Sequence, residues 1–385
     1  MQRTGKRRWI GCGLGLGVVF LGALAVQRGA ENAVEERLAT LNAELRDFAA
    51  RPQASRVPWE PVVAGNAVLD YQVIEWALAP RPGWDEEPPA HLAQGSVPRG
   101  GGEDALLLRE LYRRFHLGEE VAPSAEELRA LRRHRGLLER ARRALRRERC
   151  DWQTDPADFR PHARPHPPAY FAFAGLVVAE ARARPVDALP LGTLLAAVGR
   201  DLARCDELLG LLAGAGVQRA GYRLLVEAVA SGSASDEALA EALGKLEALP
   251  PLGLEPAARA ERLGQEAILA VGSGRWQRTV RPSTAVFEGA RPLRWPAPLL
   301  AWEWNCYREA HRDRLQAALA PAPARAEALS SARARLDARW CYLARRILPD
   351  FGHCADSLDA LATDRARALA TLRAAQRREA TPPAR

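Results

Sequence analysis

Apolar residues recur along most of the chain at intervals of three and four residues, which is the spacing of one face of an α-helix. Segments with this pattern cover residues 66–79, 104–117, 123–150, 168–271 and 299–378. Strict alternation of apolar and polar residues, which marks a half-buried strand, is nearly absent. The pattern therefore predicts an all-α protein.

Between residues 168 and 271 the predicted helices are short, and turn residues separate them. The breaks fall at Arg184-Pro185, Gly214-Ala215-Gly216, Ser231-Gly232-Ser233 and Pro250-Pro251. Short helices joined by short turns are typical of stacked helix pairs, so we expect an irregular, solenoid-like body. The consensus of tetratricopeptide repeats is absent, so this expectation concerns architecture alone.

The first apolar segment, residues 9–26, contains no charged side chain. As a helix with a rise of about 1.5 Å per residue it extends roughly 27 Å, close to the hydrocarbon thickness of a bilayer. Basic residues precede the segment, and acidic residues dominate after it. This asymmetry predicts a cytoplasmic tail over residues 1–8, a single transmembrane helix over residues 9–26 and an extracytoplasmic remainder.

A cleaved signal peptide is the alternative interpretation of this segment. Ala23-Leu24-Ala25 has the small-x-small form that signal peptidase requires. The helical pattern continues from the segment into residues 30–50, which favours a retained anchor. On either interpretation we expect the body in the periplasm of a bacterium.

Residues 27–51 predict a juxtamembrane amphipathic helix with apolar residues at steps of four and three. The apolar positions are Val34, Leu38, Leu41, Leu45 and Phe48. This spacing is that of a coiled-coil seam. Gly11 and Gly15 lie four residues apart in the preceding segment, a spacing that lets two membrane helices approach closely. Together these features predict a parallel homodimer; the alternative is that the seam packs on its own domain.

Two long irregular segments interrupt the helical pattern, a Pro/Gly-rich one over residues 80–103 and a Trp/Pro-rich one over residues 272–298. They divide the body into four regions. These are a helical region that contains the first loop (52–150), a helix-pair region (151–271), a C-terminal helical region (299–378) and a tail (379–385). Because tryptophan buries a large area, we expect both loops to pack across the helices and form a groove for a protein partner.

The chain carries 55 basic and 47 acidic residues, a net charge of +8. Only Lys6 and Lys245 are lysines, and alanine and leucine are abundant, so the arginine excess reflects the codon bias of a GC-rich genome. In the cytoplasm a basic chain would suggest nucleic acid as a partner. For a body outside the membrane we expect no nucleic acid, and anionic headgroups or polyanions are the better candidates.

The most basic segment is a predicted helix over residues 124–149, which begins at a capping box of Ser124 and Glu127. Its leucines repeat every seven residues, and arginines occupy the opposite face. The candidate arginines are Arg132, Arg133, Arg142, Arg143, Arg146 and Arg147. They form a candidate surface for anionic headgroups or polyanions. The alternative is a solvated face paired with acidic residues elsewhere.

Catalytic signatures such as H-E-x-x-H and G-x-S-x-G are absent, and the glycines of residues 11–22 do not have nucleotide-loop spacing. The strongest candidates for acid–base chemistry are Glu303, Tyr307 and His311, which are spaced by four residues on one predicted helix. A histidine on an apolar stripe is more often a core residue, so this site supports only an alternative function. We expect no cofactor and no metal site.

Five cysteines lie outside the first apolar segment, and an oxidising compartment permits disulfides among them. They are Cys150, Cys205, Cys306, Cys341 and Cys354. An odd number leaves at least one thiol outside any disulfide, and the spacing leaves the pairing open.

These features predict a membrane-anchored, extracytoplasmic helical scaffold or adaptor that mediates protein–protein interaction. The sequence favours this function over an enzyme. The alternatives are an extracytoplasmic hydrolase at Glu303, Tyr307 and His311, and a protein that binds anionic surfaces through residues 124–149.

Overall fold

The computed structural model describes the chain in eight segments. They are residues 4–50, 58–79, 102–152, 165–205, 207–232, 234–272, 296–339 and 341–379. The side chains of residues 4–20, 49, 271, 272 and 343 lie outside this description. Over the described segments the chain is predominantly helical, which confirms the all-α prediction.

The helices follow one another with few other elements between them. In the first half they are α1 (Thr4–Ala50), α2 (Ala67–Leu78), α3 (Glu103–His116), α4 (Ala125–His134), α5 (Gly136–Arg146), α6 (Pro167–Ala183) and α7 (Ala188–Leu202). In the second half they are α8 (Leu208–Ala230), α9 (Asp236–Glu247), α10 (Leu254–Gly272), α11 (Ala297–Ala318), α12 (Ala322–Asp337), α13 (Tyr342–Ile347) and α14 (Phe351–Glu379). Two short strands, β1 (Val63–Asn66) and β2 (Arg147–Arg149), pair in parallel.

The chain divides into two compact units. Unit 1 comprises Met1–Arg51, Asp155–Phe159 and Glu261–Gly352, and unit 2 comprises Pro52–Thr154, Arg160–Ala260 and His353–Arg385. This grouping differs from the regions suggested by the loops, because α1 shares a unit with α11 to α13. Most of α14 belongs to unit 2 instead.

The core of unit 2 is built around three apolar helices, α6, α7 and α8. In α6 the run of apolar residues over 169–179 is buried almost without interruption, as expected for a helix too short to span a membrane. Leu191, Leu195 and Val198 of α7 are fully buried in the same cluster. Burial of apolar side chains is the dominant favourable contribution to folding, so these helices are the main source of stability in unit 2.

Helices α7 and α8 approach closely because glycines of the two helices face each other. A Cβ atom on Gly214 would lie 2.4 Å from the carbonyl oxygen of Gly199, and a Cβ atom on Gly199 would lie 2.5 Å from that of Gly214. The predicted break at Gly214-Ala215-Gly216 is therefore wrong, because α8 runs through these residues. The glycines serve close helix packing, which outweighs their low helix propensity.

The basic segment 124–149 begins as predicted. The Ser124 Oγ accepts a hydrogen bond from the Glu127 amide at 3.2 Å, and the Ser124 amide donates to Glu127 Oε2 at 2.7 Å. The segment is not one helix, however. It divides at Arg135 into α4 and α5, and its last residues form β2.

Some predictions concern residues or side chains that the structure does not describe. Among the side chains that the structure describes, no helix is long and apolar enough to cross a membrane. Residues 9–20 of the predicted span lie outside those side chains. Most of the loops 80–103 and 272–298, with the partner groove predicted there, also lies outside the described residues.

Candidate functional site

Glu303, the predicted acid or base, lies on α11 and is only 2% exposed. Its Oε1 accepts a hydrogen bond from the Tyr342 amide at 2.7 Å, and its Oε2 accepts one from the Ala344 amide at 3.4 Å. The first amides of a helix have no partner within that helix. Glu303 therefore stabilises the first turn of α13, which gives the carboxylate a structural role.

Tyr307 and His311 lie along the same helix and are also buried, at 0% and 3% exposure. The His311 ring packs edge-on against Phe351, with ring centroids 4.8 Å apart, and lies 5.8 Å from the Tyr307 ring. Burial raises the pKa of the Tyr307 hydroxyl, and the nearby charge of Glu261 raises it further. The phenol stays protonated, and these rings pack in the core of unit 1.

A disulfide joins Cys306 of α11 to Cys341, the residue before α13. It closes the connection from α11 through α12 to α13, with a sequence separation of 35 residues. Cys150, Cys205 and Cys354 are buried as thiols. The pairing that the sequence leaves open is thus decided by which two cysteines the helices bring together.

The predicted coiled-coil seam of α1 packs within its own unit, against α11. Val34, Leu41 and Leu45 are at most 1% exposed within the single chain, and Leu38 is half-buried. This arrangement corresponds to the alternative in which the seam covers its own domain. A homodimer through these four residues would require α1 to leave unit 1. The glycine pair at residues 11 and 15 lies outside the described side chains.

A buried charge cluster, not predicted from the sequence, fixes α1 to unit 1. Its centre is Glu266 of α10, whose side chain is fully buried. Arg37 of α1 contacts Glu266, Arg262 lies 2.8 Å from it, and Trp304 of α11 donates its indole N–H at 3.0 Å. Arg262 also reaches Glu44 of α1 at 3.0 Å. The cluster, here called the Glu266 junction, connects α1, α10 and α11.

The Glu266 carboxylate stays ionised in this setting. Burial by itself would raise its pKa, but the positive charges of Arg37 and Arg262 and the hydrogen bond from Trp304 lower it below its usual value. The only local trace of the cluster in the sequence is the four-residue spacing of Arg262 and Glu266, which is common on exposed helix faces. The sequence therefore could not show that these charges are buried.

A second buried polar network lies in unit 2. The Tyr71 hydroxyl donates to Asp201 at 2.7 Å, and the Trp152 indole donates to the Asp201 carbonyl oxygen at 2.8 Å. The Tyr170 hydroxyl donates to Glu75, also at 2.7 Å. The Tyr71 and Trp152 rings stack with centroids 5.9 Å apart. These bonds satisfy polar atoms that would otherwise be costly to bury.

The six candidate arginines of α4, α5 and β2 differ in whether they form ion pairs. Three form ion pairs: Arg133 with Asp104, Arg142 with Glu139 and Arg147 with Asp70. The other three are exposed and form no ion pair in the segments that the structure describes: Arg132, Arg143 and Arg146. The second group is the part of this surface with open guanidinium groups.

No protein-family model, curated protein or solved structure matches this chain.

Proposed function

We propose that this protein is a membrane-anchored, extracytoplasmic helical scaffold that presents its body to a protein partner. Helix α1 carries the proposal. It is one continuous helix, with the uncharged segment 9–26 in its first half and the buried seam in its second. A span built from that segment would continue into unit 1 without a flexible linker.

The Glu266 junction supports a retained anchor over a cleaved signal peptide. Arg37 and Glu44 hold the second half of α1 at the buried carboxylate of Glu266. Cleavage after Ala25 would cut α1 within a helical stretch, whereas retention keeps it complete. In this proposal the junction transmits the position of the anchor to the folded body.

The disulfide and the three predicted catalytic residues also favour this function. A disulfide between Cys306 and Cys341 suits the oxidising space outside the cytoplasm. The hydrolase alternative depends on Glu303 and His311, which are engaged in helix capping and ring packing. A catalytic base must reach a substrate proton, so these contacts count against the enzyme.

Binding to an anionic surface is a second candidate function, favoured by Arg143 and Arg146. They lie three residues apart on α5 and are exposed, so they share one face of the helix. Vesicle binding through them should weaken as salt rises, because surface charges are screened.

Topology reporters at the C-terminus of the full chain test the main proposal. We expect a fused alkaline phosphatase to be active and a fused green fluorescent protein to be dark, since the first works only outside the cytoplasm. The mass of the membrane-bound protein should equal that of the uncleaved chain. A fluorescent fusion with an inactive phosphatase would contradict the proposal. A processed mass in the soluble periplasmic fraction would replace the anchor with a signal peptide.

A further inference from the structure

A cleft in unit 2 lies where the end of α3, the middle of α8 and α14 come together. Its volume is about 410 Å³, within the range of sites for small molecules. The titratable side chains that line it include those of His116, Arg219, Arg223, Glu227, Asp364 and Arg367. Three arginines face two carboxylates, so the cleft has an excess of positive charge.

One of the three arginines uses all of its guanidinium nitrogens in contacts within the protein. Arg223 donates its Nε to Glu227 at 2.8 Å and its Nη2 to the Glu119 carbonyl oxygen at 3.2 Å. Its remaining nitrogen contacts the Phe115 carbonyl oxygen, and its guanidinium group lies over the Phe115 ring. Arg223 therefore closes the end of α3 and forms one wall of the cleft.

The other two arginines have N–H groups that form no hydrogen bond with the described residues. Arg219 donates only its Nε, to Asp364 at 2.7 Å, and its two terminal nitrogens form no hydrogen bond among the described residues. Asp364 therefore orients the guanidinium group without occupying its fork. Arg367 is exposed on α14, and its side chain forms no hydrogen bond or ion pair in the described part of the chain.

His116 is the third side chain of the cleft that can bind a ligand. Its ring stacks on Tyr112, with centroids 5.5 Å apart, and its nitrogens form no hydrogen bond within the described segments. Burial lowers the pKa of His116, the charges of Arg219 and Arg223 lower it further, and Asp364 opposes them. The imidazole is thus held in a positive potential, which an anion in the cleft would neutralise.

We propose that this cleft binds a phosphoryl group carried by a small organic molecule, held by Arg219, Arg367 and His116. Guanidinium forks match the oxygens of phosphate in pairs, and these charge-assisted hydrogen bonds are the strong ones. Two forks and an imidazole offer more donors than the two oxygens of a carboxylate can accept. The volume exceeds that of phosphate alone, which leaves room for the group that carries it.

Calorimetric titration of the full chain in neutral-detergent micelles tests the proposal, with inorganic phosphate and glycerol 3-phosphate as probes. We expect saturable binding of both at low salt, with glycerol 3-phosphate the tighter of the two. Arg367→Gln should weaken binding about tenfold, because it removes one charged fork. Arg378→Gln is the matched control and should leave the affinity unchanged, because Arg378 is exposed on the same helix and does not line the cleft. The side chain of Arg367 forms no hydrogen bond or ion pair with the residues that the structure describes, so its substitution should not unfold unit 2.

The pH dependence gives a second measurement, for which sulfate is the probe because it does not titrate near neutral pH. Sulfate should raise the pKa of His116 in a nuclear magnetic resonance titration, and its binding should weaken as the pH rises through that pKa. Arg219, Arg223 and Asp364 are the charged groups that face the imidazole. Absence of saturable phosphate binding, or equal weakening by Arg378→Gln, would overturn the proposal.

The same titration distinguishes two sources of the phosphoryl group. If phosphatidylglycerol doped into the micelles competes with glycerol 3-phosphate, the ligand is a lipid headgroup. If only the soluble phosphomonoester binds, the ligand is a soluble molecule. Both results support the cleft as a phosphoryl site, and neither depends on the membrane topology proposed above.

Discussion

The two units are stabilised by different means. Unit 2 has a continuous apolar core in which α7 and α8 touch through Gly199 and Gly214. In unit 1, polar and covalent connections between helices supplement the apolar packing of α1 on α11: the Glu266 junction, the Glu303 cap of α13 and the Cys306–Cys341 disulfide. Unit 2 should therefore be sensitive to added volume, whereas unit 1 should be sensitive to changes in charge and to reductant.

The largest expected effect follows from Glu266→Ala in unit 1. It removes the fully buried acid that Arg37 and Arg262 share and leaves them the more exposed Glu44. Loss of one partner of a buried pair costs about 4 kcal/mol. Amide hydrogen exchange of the full chain should show faster exchange in α1 and α11, with α7 unchanged. Glu255→Ala is the control, since Glu255 is exposed on the same helix. Equal exchange in the two variants would mean that the junction does not hold α1.

Reduction of the Cys306–Cys341 disulfide should have the next largest effect. Opening a loop of this length costs about 3.8 kcal/mol, because the unfolded chain regains conformational entropy. Urea unfolding of the full chain, followed by amide hydrogen exchange in α11 and α13, should show a loss of stability in unit 1 alone. The double variant Cys306→Ser and Cys341→Ser should no longer respond to reductant. A response of α7 and α8 to reductant would remove the contrast between the units.

Gly214→Val should give a smaller loss, confined to unit 2. The new side chain would meet the Gly199 carbonyl oxygen, and overpacking of this kind costs about 2 kcal/mol. The measurement is again urea unfolding with exchange at α7 and α8. Gly244→Ala on α9 is the control, because a Cβ atom there meets nothing within 4 Å and alanine favours a helix. If Gly214→Val were as stable as wild type, the close contact of α7 with α8 would not be needed.

Local sequence signals were reliable where neighbouring residues decide the structure. The apolar run over 169–179 is long enough to mark a buried helix, and Ser124 with Glu127 supplies both halves of a capping box. Glycine led to a wrong prediction at Gly214, because a glycine in the sequence is equally compatible with a turn and with a close contact between helices. Which use applies depends on a partner helix that the local sequence does not contain.

The candidate site was less predictable than the fold. Glu303 and His311 have the residue types and spacing of acid–base groups. Spacing does not show that Glu303 accepts a hydrogen bond from the Tyr342 amide or that the His311 ring packs on Phe351. Glu266 carries no signal of burial, and Arg37 is 229 residues away from it. The cleft at Arg219 and Arg367 likewise joins two helices that are far apart in sequence.

The sequence alone determined the helical class, the amphipathic pattern of α1 and the capped start of α4, because these depend on periodicity and on residues within one or two turns. Only the tertiary structure decided that the α1 seam covers unit 1, that Cys306 pairs with Cys341 and that Glu266 is buried among arginines. Such contacts join residues distant in the chain. Their energies depend on burial and on which charges meet, and no local pattern encodes either one.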